Sequence, residues 1–120
     1  MERTIQIDGK DVLLRCTAKT PIIYNALIHR DLLVDFDKLQ KNKTEDGGVD
    51  VGSLETFLNI AYVMAWQGED AHHRERMADF PKTPGDWLDQ FEMFSVYEHL
   101  DTIMNLMLGD RMTLVKEKNL

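Results

Sequence analysis

The chain has 120 residues, 43% hydrophobic and 29% charged, a balance that fits one globular domain and excludes wholesale disorder or a fibrous class. Fourteen Lys and Arg against 21 Asp and Glu leave a formal charge of -7, so phosphate backbones and anionic lipid would repel it; neither nucleic acid nor membrane is an expected partner. The single cysteine, Cys16, excludes an internal disulfide and points to a reducing cytoplasm, while the polar start MERTIQIDGK and a longest apolar run of seven, Ile60 to Trp66, predict neither an export signal nor a membrane span.

Ile5 and Ile7 alternate with polar residues, Asp8-Gly9 follows, and Val12 and Leu14 resume the alternation. An Asp-Gly pair tolerates positive φ at both positions, so residues 1–17 read as a β-hairpin with Ile5 opposite Val12. An isolated hairpin is barely stable in water, and its apolar face should pack on helices. Thr20-Pro21 is a helix start, with Thr20 as cap and Ile22, Ile23, Ala26, Leu27, Leu32, Leu33, Phe36 and Leu39 as the buried face. One helix or two divided near His29 both fit. The polar, glycine-rich stretch 41–52 reads as a mobile loop.

Ser53 then caps a helix that is apolar nearly all round, with Leu54, Phe57, Leu58, Ala61, Tyr62 and Ala65 on one side and Ile60, Val63 and Met64 on the other. Such a helix belongs at the centre of a fold. Gly68 is its expected end, followed by the charged connector GEDAHHRERMADFPK. Thr83-Pro84-Gly85-Asp86 repeats the start signal before a short helix carrying Trp87, Leu88 and Phe91. In WLDQFEMFSVY, Trp87, Phe91, Phe94 and Tyr97 share one face of a continuous helix, yet Val96, Leu100, Ile103 and Met107 fall about half a turn away. The capping box Ser95-x-x-Glu98 therefore predicts a break at Phe94-Ser95, with Trp87 and Phe91 in the core. Gly109 is the expected stop, and 109–120 a frayed tail. The fold class expected is α+β, mainly α: a hairpin on a bundle of four to five helices.

Catalytic chemistry is poorly represented. His72 and His73 with Glu75 form the nearest approach to a metal site, but adjacent helix positions diverge by about 100°, and no HExxH spacing exists. His29 and His99 stand alone, Cys16 lacks a partner base, and Asp35 and Asp37 point apart. No cofactor is expected. What remains is surface for proteins: seven methionines, and a last helix whose Tyr97, Leu106 and Leu108 lie off the Leu100-Ile103-Met107 line. Phe94, Tyr97, Leu106 and Leu108 are thus the candidate partner-binding residues. The apolar surplus leaves self-association into a homo-oligomer open.

The order of a hairpin, TPIIYNALIHRDLLVDFDKL, SLETFLNIAYVMAWQ and FPKTPGDWLDQFEMFSVYEHLDTIMNLM resembles the tail assembly chaperones of long-tailed phages and prophages of Gram-positive bacteria. The likeness covers most of residues 3–108, and TPGDWLDQFEMFSVYE is its most specific block. It implies a non-enzymatic protein of the host cytoplasm that binds the tape measure protein, helps recruit the tail tube protein and is absent from the finished virion. No catalytic or ligand residues are implied. Relatives often carry an aromatic-glycine pair where this chain has Ile28-His29. The family also implies a programmed minus-one frameshift, and Glu117-Lys118-Asn119 can be encoded as GAA AAA AAC, which contains a slippery heptamer. The competing readings are a small acidic adapter or regulatory subunit of another complex and a metal-dependent enzyme using His72 and His73.

Overall fold

A computed structural model describes residues 1–41 and 51–109. The fold is α+β and mainly α, an N-terminal antiparallel hairpin set against helices, and among the described residues five helices are α. The expected loop at 41–52 lies largely, and the expected tail at 109–120 almost wholly, outside the described residues.

Strands β1 (Glu2–Ile7) and β2 (Lys10–Arg15) pair with Ile5 opposite Val12, as the turn chemistry requires. Asp8 (φ 53°) and Gly9 (φ 77°) both take positive φ, the condition for a two-residue turn that matches the strand twist. Ile5, Ile7 and Leu14 are buried on the inner face. Beyond the strands, the Cys16 N–H donates to the Met1 carbonyl at 2.8 Å and the Met1 ammonium donates to the Cys16 carbonyl at 2.7 Å, so the hairpin is closed at both ends.

The stretch after it forms two helices, α1 (Thr20–Ile28) and α2 (Leu32–Lys41). His29 divides them in the left-handed region at φ 64°, with its N–H on the Asn25 carbonyl. That is a glycine-favoured conformation, and it ends α1 there. Thr20 is not the cap: it is the first helical residue, buried, and its Oγ1 accepts from the Thr17 N–H at 2.8 Å while donating to Gln67 Oε1 at 2.7 Å. Its hydroxyl ties α1 to the central helix instead of satisfying its own helix. The expected buried face is also corrected. Ile22 and Leu33 are 69% and 67% exposed, and Ala26 is exposed too. Tyr24, Leu32, Asp35 and Leu39 take the interior.

Asp35 is a carboxylate 2% exposed, and its burial depends on its partners. Arg30 donates through Nε and Nη2, both at 2.7 Å, and the Tyr24 hydroxyl adds a third bond at 2.9 Å. The two-pronged Arg30 contact is the main cause that holds the Asp35 carboxyl below its ordinary range, while burial, and secondarily the carboxylate, push the Tyr24 phenol upward. This network locks the angle between α1 and α2.

Helix α3 (Val51–His72) is central, with every residue from Ile60 to Ala65 buried. It begins two residues before Ser53, which is therefore no cap, and it runs four residues past Gly68. The reason Gly68 does not end it is steric. A Cβ there would stand 2.2 Å from the Leu13 carbonyl oxygen, so the glycine is where β2 crosses the helix backbone to backbone. After α3 a 3-10 turn spans Arg74–Asp79, and the Tyr62 hydroxyl donates to the Pro81 carbonyl at 2.6 Å, tethering the connector to the core. No helix among the described residues is long and apolar enough to cross a membrane.

Candidate protein-binding surface

Helix α4 (Pro84–Leu88) starts as expected: Thr83 Oγ1 accepts the Asp86 N–H at 3.1 Å and Pro84 sits where no donor is needed. Trp87 is 2% exposed, edge-on to Phe91 at 5.1 Å and to Tyr62 at 6.1 Å between centroids. The core assignment of Trp87 holds, with Phe91 half-buried beside it.

The helix ends sooner than expected, and the turn is made differently. Ser95 does not cap a helix with Glu98. Its hydroxyl donates to Asp8 of the hairpin turn, and the Glu92 N–H donates to the other oxygen of that carboxylate at 2.7 Å. The Glu98 N–H, which a Ser95 cap would accept, goes instead to the Phe94 carbonyl at 3.2 Å. The two bonds to Asp8, Ser95 first, hold its carboxyl below its usual range. His99 Nε2 lies 2.8 Å from the Gln6 carbonyl and donates to it, in a 3-10 turn (Tyr97–His99) that precedes α5 (Leu100–Leu108). The corner from Phe91 to Val96 is thus pinned by the hairpin.

What the pinned corner presents is apolar. Met93 is 74% exposed and Phe94 65% exposed. Beside them opens a groove of about 140 Å³ lined by Leu58, Leu88, Phe91, Glu92, Met93, Val96 and Tyr97. Among the four candidate residues, Phe94 is the open one. Tyr97 is half-buried, its ring tilted against Phe57 at 6.1 Å, with one edge on the groove. Leu108 is half-buried. Leu106 is buried and is corrected to a core residue, while on the core line of α5 Met107 Sδ lies 3.8 Å from Cys16 Sγ at the end of the hairpin and Met1 packs at Gly109. Met93 is absent from the expected set, because a lone methionine between an acid and an aromatic residue carries no sign of which way it points.

Other openings lie elsewhere on the described residues, one of them beside the Arg30–Asp35 pair. Ile22 and Leu33 flank a shallow recess with Pro21, Asn25, Asp31 and Leu32. A larger groove of about 370 Å³ runs between β2 and the connector, and within it Arg76 pairs with Glu69 at 2.9 Å. His72 pairs with Glu2 and His73 lies 3.8 Å from Glu75, so the two imidazoles diverge; among the described residues no three His, Cys, Asp or Glu side chains could hold a metal ion. Burial raises the Cys16 thiol above its ordinary range, which suits packing and not nucleophilic attack. Comparison with protein-family models, curated proteins and solved structures finds no match.

Proposed function

We propose that this protein is a non-enzymatic tail assembly chaperone of a long-tailed phage or prophage of Gram-positive bacteria, acting in the host cytoplasm and absent from the mature virion. Its client is the tape measure protein, with the tail tube protein recruited in turn. The observation that carries this reading is the exposure of Met93, which lines an apolar groove, and of its neighbour Phe94, both within the block TPGDWLDQFEMFSVYE on which the resemblance is most specific. A holding chaperone needs apolar side chains that its own fold leaves uncovered, and a pinned corner keeps them presented without collapse.

The adapter reading would use the same surface for a different partner. Co-expression separates them. The tape measure protein encoded beside this chain should move into the soluble fraction and co-purify with it, and Phe94→Ala should reduce the recovered complex by about tenfold. A tape measure protein that stays insoluble and unbound would overturn the chaperone reading.

A further inference from the structure

The corner has a charge pattern as well as an apolar face. From Thr83 to Gly109 the chain carries five acids, Asp86, Asp89, Glu92, Glu98 and Asp101, and no Lys or Arg. All five are exposed, and Glu92 lines the groove itself. Lys10 approaches the Phe91 ring at 5.6 Å, but it lines the larger groove and not this one. An apolar opening whose one charged lining residue is an acid, in a segment that carries only acids, selects its occupant in two ways: the apolar contact supplies affinity, and the acids admit a cationic partner while repelling an acidic one. A second copy of this chain would set its own acidic rim against the first. The recess between Ile22 and Leu33 has no such border, only Asp31, and nothing there favours one occupant.

We propose that the Phe94 corner seats a basic amphipathic helix, with one aliphatic side chain in the groove between Leu58, Leu88 and Val96, and Lys or Arg residues a turn away on either side meeting Asp89, Glu92 and Glu98. The size of the groove fits one anchor of this kind, Met93 lines it, and the exposed Phe94 follows Met93 in the chain. Met93 is a pliable contact that adapts to the anchor's neighbours, and Phe94 is the rigid one. The proposal rests on the protein-binding reading above but not on the identity of the client.

The probes are two fluorescent peptides of about 18 residues with the same leucine stripe, one carrying Lys and one Glu on its polar face. Anisotropy should show the Lys peptide binding at least about tenfold more tightly than the Glu peptide, with the difference shrinking as salt rises from about 0.05 to 0.5 M. Phe94→Ala should weaken the Lys peptide by about tenfold. The double reversal Asp89→Lys with Glu98→Lys should invert the preference. A distant reversal, Asp37→Lys with Glu75→Lys, should change binding by less than about threefold, which separates a local rim from overall charge. All these side chains are exposed, so unchanged circular dichroism and melting are expected throughout. Equal binding of the two peptides, indifference to Phe94→Ala, or a Phe94-dependent dimer in sedimentation would overturn the proposal. Phe94-dependent binding of the Lys peptide without capture of the tape measure protein would leave the docking corner standing and remove the chaperone reading. Capture that ignores Phe94→Ala would do the reverse.

Discussion

His29 and Asp35 show how single side chains set the path of this fold. His29 holds a left-handed conformation that costs an L-residue about 1 kcal/mol or more, and nothing but the chain's need to turn between α1 and α2 requires it. His29→Gly should therefore raise unfolding stability by about 0.5–1 kcal/mol in urea titration, and the β-branched His29→Val should lower it. Asp35 supplies a pH dependence. Its carboxyl is depressed in the folded state, so its contribution is fully present above the unfolded carboxylate pKa of about 3.9 and is lost as pH falls through the lower folded value. With Arg30→Gln the principal cause of that depression disappears and burial pushes the carboxyl upward. Stability of the variant should then gain less from rising pH between about 3 and 6, or fall across it, whereas the parent rises. Identical slopes in the two proteins would show that Arg30 does not control this group.

At the scale of elements, the crossing of β2 over α3 is the tightest constraint. Alanine is the better helix former by about 1 kcal/mol, and on propensity alone Gly68→Ala would stabilise α3. The Leu13 carbonyl occupies the space its Cβ needs, and both groups in the clash are backbone, so neither can rotate aside. A net loss of about 2 kcal/mol or more is expected in denaturant melts, with the hairpin amides exchanging faster. This crossing also explains why Gly68 misleads in the sequence. A glycine near the end of an apolar run reads as a stop, and only the tertiary neighbour distinguishes a stop from a close approach. The same limit applies to Ser95, whose capping-box spacing is genuine but whose hydroxyl is claimed by Asp8, a residue 87 positions away. Thr83-Pro84 was legible because its cap is satisfied locally, by the Asp86 N–H.

For the molecule as a whole, the parts that could be read in advance are those whose chemistry is local or whose apolar pattern is unambiguous: the Asp8-Gly9 hairpin with its register, the α4 start, and a central helix that has no polar face to offer solvent. The orientation of α1 and α2 was not legible, because Ile22 and Leu33 look like core residues until Tyr24 and Asp35 are seen to claim the interior. The candidate surface was half legible. The spacing of the aromatics required a break and left Phe94 exposed at it, but the break lies in the turn that Asp8 organises, and Leu106 is buried in the core.

That arrangement has a consequence in time. The corner is held by Asp8, and α5 is backed by Met1 and Cys16, so the surface is built from bonds that join residues 84 to 93 positions apart. Synthesis runs from the N-terminus, and the hairpin turn must wait for residues 84 and 87 positions further on before it finds Glu92 and Ser95. An unfinished copy would display its apolar residues without the corner that organises them. The exposed Met93 and Phe94 thus reach their final setting only after the two ends of the described fold have met.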